Sequence, residues 1–254
     1  IDLSQVEWRT AGELSGDTMI LDEVNNGVDQ HVATVRELME LEFNGKDDPQ
    51  SYKNRNHAKT FNFRMIFGGT EWGYHLDVNM PKFGLTKWRE VIKRFWKKYY
   101  GLNNFHNKNI QHVIQNGWIC TKTGRKYVFD KCLEEDGDKV YSYNQIKNRL
   151  IQGTAAELIA LMGVIIRRGM VKKECKSKMI ITVHDSIVFD IVKGEEDYIK
   201  WLSLTTAKSL REYIKSYWGI EWDVMLDGEF EIGKNYKELT EVKIDQKCEE
   251  VVNG

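Results

Sequence analysis

The chain has 254 residues, a formal net charge of −1, and 41% hydrophobic and 30% charged residues, which is the composition of a globular protein. Its longest uncharged apolar run, Leu158 to Ile166, is too short to span a bilayer, and the start shows no basic leader before an apolar block. We therefore expect no membrane partner and a cytoplasmic protein, in which the four cysteines are reduced.

The predicted elements, in chain order, begin with an alternating strand. Residues 1–8 alternate apolar and polar side chains, which indicates a strand. Residues 44–54 and 132–139 read as polar loops, and residues 116–130 as a hairpin with Gly124 in its turn. Helical periodicity predicts helices over residues 29–43, 54–67, 87–100, 104–116, 144–168 and 195–218. Gly68 and Gly69 are placed to end the second of these helices.

One predicted helix lies in a basic stretch. Residues 82–100 carry many lysines and arginines with aromatic residues between them. Such a pattern can bind nucleic acid, but it is also that of a helix with an aromatic core face and a solvated cationic face. From this stretch alone the second interpretation is favoured.

The most hydrophobic segment, residues 179–192, predicts a hairpin with Asp185 at its bend. A carboxylate in such a place is reasonable if a divalent cation offsets its charge, because Mg²⁺ usually takes one or two carboxylates together with water and phosphate. Asp2 interrupts another apolar strand and is the best candidate for the second carboxylate. Taken singly, each Asp is more often a structural turn or terminal residue.

The helix over residues 54–67 carries an unusual stripe. Arg55, Lys59, Phe63 and Phe67 are spaced four residues apart, which places them along one side of the helix. The two cations suit a polyphosphate, and the two rings suit a base or a sugar.

These residues belong to motifs that together resemble the C-terminal part of a family A DNA polymerase, the DNA polymerase I class. The matching segments, in order, are DLSQVEWR at 2–9, RNHAKTFNFRMIFG at 55–68, NRLIQGTAAE at 148–157 and TVHDS at 182–186, with fainter matches at 27–34, 121–127 and 233–236. Four motifs in the right order at plausible spacing form a specific signature.

The resemblance implies an α+β fold, a polymerase palm with a small antiparallel sheet plus a helical fingers subdomain. It implies palm segments at 1–40 and 136–254 around fingers at 41–135. It further implies template-directed nucleotidyl transfer with Mg²⁺ (two ions) as cofactor, held by Asp2, Asp185 and the backbone carbonyl of Leu3. Primer–template DNA and deoxynucleoside triphosphates (dNTPs) would be the partners.

The family's nucleotide-binding positions match Gln5, Glu7, His31, Arg55, Lys59, Phe63 and Phe67. Lys59 would also protonate the leaving pyrophosphate. Glu7 would exclude a ribose 2′-hydroxyl, and Phe63, which lacks a phenol, implies discrimination against dideoxynucleotides. The DNA-contacting positions match Trp72, Asn148, Gln152 and His184.

Four positions depart from the family pattern. Ser186 stands where Glu is common, Phe67 where Tyr is usual, Arg64 where a Gly is found and Asn144 where an Arg is frequent. These departures concern the geometry of the primer end, the rigidity of Glu7 and one template contact.

The family also places a further part of the palm, a thumb and usually an exonuclease domain before the first motif. A strand starting at Ile1 would leave one palm edge unpaired. We therefore expect an N-terminal partner chain, as in a split polymerase of a phage acting in its host's cytoplasm, or else a longer single chain.

Three other functions were considered. A non-catalytic nucleic-acid-binding accessory subunit is disfavoured because both carboxylates, Asp2 and Asp185, are present. A single-subunit RNA polymerase is disfavoured because Glu7 would exclude a ribose 2′-hydroxyl. A metal phosphohydrolase is disfavoured because no other histidine has ligand spacing around His184 and Asp185.

Overall fold

The structure is a computed structural model that describes residues 1–135 and 138–242. The chain divides into two compact units. One, the sheet unit, comprises residues 1–7 and 152–242, and the other, the helical unit, comprises residues 8–151. The division into palm segments at 1–40 and 136–254 and fingers at 41–135 is a functional one and stays a prediction.

Helices make up most of the described chain. They are α1 (Val6–Ser15), α2 (Thr18–Asn25), α3 (Gln30–Ala33), α4 (Pro49–Ile66), α5 (Glu71–Leu76), α6 (Leu85–Lys98), α7 (Tyr100–Asn116), α8 (Tyr143–Lys172), α9 (Glu196–Lys208) and α10 (Leu210–Trp218). A π-helical turn, Thr34–Leu38, follows α3. The strands are β1 (Asp2–Leu3), β2 (Trp118–Cys120), β3 (Lys126–Val128), β4 (Leu133–Glu135), β5 (Asp138–Val140), β6 (Lys178–Val183), β7 (Ser186–Asp190), β8 (Gly228–Ile232) and β9 (Thr240–Val242).

The sheet unit is built on antiparallel strands in the order β6-β7-β1-β8-β9. Asp2 lies opposite Ser186 on one side and Glu229 on the other, so these three side chains share one face of the sheet. The alternate residues Leu3, Ile187 and Phe230 are each 1% exposed and form the core face. The α+β prediction with a small antiparallel sheet is confirmed.

Two helices pack on strands of the sheet unit at small residues. A Cβ atom on Gly163 of α8 would lie 3.4 Å from Met179 and 3.5 Å from Ile187. One on Gly228 of β8 would approach the Ala207 Cβ of α9 to 3.0 Å. Glycine therefore allows close helix–sheet contact at both places.

The prediction of a long first strand was wrong. The strand covers only Asp2 and Leu3, and α1 begins at Val6. The expected unpaired edge at this strand was also wrong, because β1 is paired on both sides, by β7 and by β8. A two-residue strand has too few positions for its own periodicity to reveal its neighbours.

Several predicted boundaries shift. The predicted loop at 44–54 contains the start of α4, because Asp48 accepts the Ser51 N–H as an N-cap and Pro49 takes the first helical turn. The helix expected over 29–43 ends earlier, in the π-helical turn. The one expected over 195–218 is interrupted at Ser209, between α9 and α10.

The loop expected at 132–139 instead contains β4 and β5, which pair as a hairpin. The hairpins around Gly124 and at 179–192 are confirmed, as are the helices α6, α7 and α8 to within a few residues. Helices α2 and α5 and strands β8 and β9 were not predicted.

The aromatic residues of α6 belong to the core of the helical unit. Trp88, Phe95 and Tyr99 are fully buried. The Phe61 ring packs against both Trp88 and Phe95. The Tyr99 ring packs against both Phe95 and Trp8. Cations from the same stretch form ion pairs: Lys87 and Arg94 with Glu40, and Lys98 with Glu23 and Glu37. This arrangement favours the core interpretation of the basic stretch over a nucleic-acid surface.

One described helix, α8, is long and apolar enough to cross a membrane by length and composition. Of its most apolar window 61% is buried inside the protein, which is the pattern of a core helix. Among the described cysteines, Cys120, Cys132 and Cys175 are free thiols, as expected, and Cys248 lies outside the described residues.

Candidate active site

The sheet unit brings Asp2 and Asp185 together. Asp185 occupies the two-residue bend between β6 and β7, and the Leu3 N–H donates to its backbone carbonyl at 3.0 Å. The two carboxyl groups lie close enough for the Asp185 charge to raise the pKa of Asp2. The juxtaposition follows from the register, because Asp2 pairs with Ser186, the residue directly after Asp185.

The electrostatics of this pair are unusual. Burial first, and then the charge and hydrogen bond of Asp185, raise the pKa of Asp2 to about 7, with Glu229 adding a smaller effect. Burial and then Asp185 also raise the pKa of Glu7. Crowded carboxyl groups of this kind are found where a cation or a proton offsets their repulsion.

The backbone is strained on both sides of the pair. Gln5, between β1 and α1, has φ = 53°, and His184, in the β6–β7 bend, has φ = 52°. Such left-handed conformations are uncommon for non-glycine residues and cluster at functional sites. The Ser186 hydroxyl donates to the Val183 carbonyl at 2.9 Å and closes the bend, so the residue that replaces the family's Glu has a local structural role.

The donor set fits a magnesium site. Asp2 and Asp185 offer adjacent carboxylate oxygens, the ligands that Mg²⁺ prefers. Within residues 1–135 and 138–242, no group of three or more His, Cys, Asp or Glu residues could hold a metal.

In the helical unit, α4 presents the predicted stripe. Lys59 and Phe63 are exposed, Phe63 by 47%, and Arg55 and Phe67 are half-buried. The Phe63 and Phe67 rings lie 5.0 Å apart in an edge-to-face contact. One exposed ring and one half-buried ring thus follow the two cations along one side of the helix.

Arg55 is held by an acid from the segment before α3. Its Nε donates to Asp29 Oδ2 at 2.8 Å. Burial opposes ionisation of Asp29, but Arg55 outweighs it, and the pKa of this carboxyl lies below its ordinary value. Sequence reasoning did not assign a role to Asp29, although it stands two residues before His31.

His31 is 6% exposed, and its Nδ1 lies 3.2 Å from Asn62 Nδ2. Burial and then Arg55 lower the pKa of His31 to about 4, so the imidazole is neutral at pH 7. Asn62 is fixed in turn by the Thr34 hydroxyl at 2.9 Å. A buried network therefore joins α3 to the inner side of α4.

The structure explains Arg64, whose purpose the sequence did not show. Its guanidinium donates to Asp77 at 2.6 Å and lies 5.9 Å from the centre of the Tyr74 ring. Arg64 thus ties the end of α4 to the segment after α5.

The predicted DNA-contacting residues lie on separate elements. Trp72 of α5 is 53% exposed in the helical unit. Asn148 lies in the part of α8 that belongs to the helical unit, and its Oδ1 is buried without a hydrogen-bond partner among the described residues. Gln152 and His184 are exposed residues of the sheet unit. Their contact with DNA stays a prediction.

Asn144 replaces an Arg of the family pattern and packs beside Gly68. A Cβ atom at Gly68 would lie 2.2 Å from Asn144 Oδ1, and Gly68 has φ = 97°. Glycine is required at this position for both reasons.

Comparison with known proteins gives consistent matches. The family model described as DNA polymerase family A matches residues 1–238. The chain is 25% identical over 239 residues to DNA polymerase I of Chloroflexus aurantiacus, covering 94% of this chain and 24% of that protein. It is 24% identical over 212 residues to DNA polymerase I of Lactococcus lactis subsp. lactis, covering 83% and 24%. The chain therefore spans about a quarter of the length of these relatives.

A solved structure shares the fold. The POL domain of Pol1 from M. smegmatis, in complex with DNA primer-template and dNTP, aligns with a TM-score of 0.69 and 18% sequence identity. The alignment covers 89% of this chain and 37% of that chain.

Proposed function

Since this chain belongs to DNA polymerase family A, we propose that it is the catalytic part of a template-directed DNA polymerase. It would transfer a nucleotide from a dNTP to the 3′ end of a primer and release pyrophosphate. The observation that carries the proposal is the meeting of Asp2 and Asp185, far apart in the chain, as neighbouring carboxyl groups on one sheet.

The metal chemistry is part of the proposal. Asp2, Asp185 and the Leu3 carbonyl would hold two Mg²⁺ ions, which when bound stabilise charge on the attacking and leaving oxygens. The raised pKa of Asp2 supports this assignment, because two carboxyl groups placed in contact repel each other unless a cation or proton lies between them.

The residues of α4 would bind and orient the triphosphate. Arg55 and Lys59 offer charge-assisted hydrogen bonds to phosphate oxygens, and the Phe63 ring offers a stacking surface. The primer 3′-hydroxyl would lose its proton to water as its oxygen forms a bond to the α-phosphorus, and the bond from that phosphorus to the bridging oxygen would break. Lys59 Nζ would donate a proton to the leaving pyrophosphate. Gln5 and His31 would complete the phosphate contacts.

Glu7 would set the choice of sugar. Its side chain is half-buried at the start of α1 and is close enough to Asp185 for that charge to affect its pKa. A ribose 2′-hydroxyl would require the space of this side chain, which favours dNTPs. Phe67 provides no phenol to hold Glu7.

Primer–template DNA would contact His184, Asn148, Gln152 and Trp72. The orphan Oδ1 of Asn148 supports this, because a buried acceptor without a protein partner is suited to a donor from a ligand. We further propose that an N-terminal partner chain supplies the thumb and the rest of the palm, with or without an exonuclease domain.

Primer extension tests the function. The full chain, with and without the N-terminal partner, is incubated with Mg²⁺, dNTPs and a labelled primer–template. The wild type should extend the primer according to the template, and Asp185→Asn should abolish extension while DNA binding remains. Asp190→Asn, at an exposed position of β7 opposite Lys178, is the matched control and should extend normally. DNA binding without extension by the wild type would instead support an accessory subunit.

A further inference from the structure

Asp29 is shared by two cations from different segments. Its Oδ2 accepts from Arg55 Nε at 2.8 Å and lies 3.9 Å from Lys46 Nζ. Arg55 is on α4, whereas Lys46 lies in the loop between the π-helical turn and α4. Because both groups approach the same oxygen, Lys46 Nζ and the Arg55 guanidinium are close neighbours with one acid between them.

The other oxygen of Asp29 has a structural role. Asp29 Oδ1 accepts the backbone N–H groups of His31 at 3.1 Å and Val32 at 3.2 Å, as the N-cap of α3. The carboxylate is therefore fixed in position, and Oδ2 alone is directed to the cations. A phosphate oxygen could take the same position as Asp29 Oδ2, between the Arg55 guanidinium and the Lys46 ammonium.

Lys46 is free to follow an incoming anion. Its side chain is 72% exposed, compared with 24% for Arg55, and its contact with Asp29 is long for an ion pair. A flexible ammonium in an exposed loop can change partners at little cost, because a solvent-exposed ion pair contributes little stability.

We propose that Lys46 is a further triphosphate-binding residue and that Asp29 is the counter-ion that a triphosphate displaces from Lys46 and Arg55. The inference rests on the proposed function, since it is that function which places a triphosphate at Arg55 and Lys59. It adds a third cation to the phosphate contacts and makes Asp29 a positioning residue that competes with the substrate.

Binding of inorganic tripolyphosphate tests the inference without DNA or chemistry. Its dissociation constant is measured by calorimetry for the full wild-type chain and for Lys46→Ala, Lys46→Arg and Asp29→Asn. Lys46→Ala should weaken binding about three- to tenfold, between the strengths of an exposed ion pair and a charge-assisted hydrogen bond. Lys46→Arg should restore binding to within about twofold, because it keeps the charge.

Asp29→Asn removes the competing charge but keeps an N-cap side chain, so α3 should remain intact. It should tighten tripolyphosphate binding about threefold or more, in line with the loss of a competing ion pair. Lys53→Ala is the matched control. Lys53 is exposed on α4, and its charge acts on His57 rather than on the Asp29 cluster, so this variant should bind as the wild type does.

The inference would be overturned if wild type and Lys46→Ala bound tripolyphosphate equally, or if the wild type did not bind it. Neither result would contradict the proposed function, which primer extension tests separately. Conversely, the chain could bind tripolyphosphate in a Lys46-dependent way and yet never extend a primer. That result would contradict the proposed function and support the anion site. The two failures are therefore distinguishable.

Discussion

Asp2 lies beside Asp185, close enough for the Asp185 charge to raise its pKa, although Asp2 is near the start of the chain and Asp185 is in a hairpin bend far along it. The contact depends on the central position of β1, which pairs with β7 at Ser186 and with β8 at Glu229. The sheet thus presents a carboxyl pair on the face opposite its apolar core. Family membership and this pair are the two findings on which the proposed metal-dependent nucleotidyl transfer rests.

Shortening Glu7 should relax the choice of sugar. In Glu7→Ala the space for a ribose 2′-hydroxyl becomes available, so the preference for dNTPs over ribonucleotides should fall about ten- to a hundredfold. The measurement is the ratio of kcat/KM for a dNTP and the matching ribonucleotide in single-nucleotide extension. Glu90→Ala, at an exposed position of α6, should leave that ratio unchanged, and an unchanged ratio in Glu7→Ala would remove Glu7 from this role.

Adding a hydroxyl to Phe63 should change the response to chain terminators. A dideoxynucleotide lacks the 3′-hydroxyl of a dNTP and the hydrogen bond that this group makes. In Phe63→Tyr the phenol can supply that hydrogen bond, so the efficiency of incorporation of dideoxynucleotides should approach that of dNTPs. Competitive incorporation of the two substrates measures this. Stability should change little, because Phe63 is 47% exposed. The control is Phe43→Tyr, on the loop before α4, and equal discrimination by wild type and Phe63→Tyr would refute the assignment.

Trp72 should contribute to binding of unpaired template. Trp72→Ala should weaken binding of a primer–template with a single-stranded overhang about five- to a hundredfold, the range for loss of one base–aromatic stack. Fluorescence anisotropy with overhang and blunt DNA separates this effect from duplex binding. Tyr100→Ala removes another exposed aromatic residue of the helical unit and should bind both DNAs as the wild type does. A loss of equal size on blunt DNA would contradict stacking on the template.

Two buried histidines should make the protein sensitive to acid. Burial, with smaller effects of nearby cations, lowers the pKa of His31 to about 4 and that of His106 to about 3. A histidine in the unfolded chain has its ordinary pKa of 6.5, so the unfolded chain takes up these protons first. The contribution of these two histidines to the free energy of unfolding should therefore be fully retained above about pH 6.5 and decrease as the pH falls toward 4.

Urea unfolding at pH 7.5 and at pH 5 measures this dependence. In His106→Phe, which keeps an aromatic ring beside Trp96 and Phe105, the decrease between the two pH values should be smaller than in the wild type. Substitution of the exposed His112 by Phe should leave the decrease unchanged. An identical decrease in His106→Phe and the wild type would show that His106 does not titrate as described.

Local signals in the chain predicted much of the site. Three short-range patterns agree with the structure. They are the apolar runs on either side of Asp185, which form a hairpin, the four-residue spacing from Arg55 to Phe67, which places these side chains on one side of α4, and the glycines that follow α4. The start of α4 was missed although its signal was present, since Pro49 was treated as a breaker rather than as the first residue of a helix capped by Asp48.

Other features depend on contacts between distant segments, which periodicity does not reveal. The position of β1 inside the sheet is set by β7 and β8, and the Arg55–Asp29 pair joins α4 to the residue before α3. The helix break at Ser209, between α9 and α10, is not marked by a glycine or a proline in the sequence. Tertiary packing determines these features more strongly than local propensity.

Single-turnover incorporation of one nucleotide by wild type and Asp2→Asn tests the central claim most directly. With saturating Mg²⁺, dNTP and primer–template, and with the proposed N-terminal partner both present and absent, the rate in Asp2→Asn should fall about a thousandfold or more, as expected if Asp2 is a metal-binding carboxylate. DNA affinity should stay close to that of the wild type. Incorporation by Asp2→Asn at the wild-type rate would contradict the account.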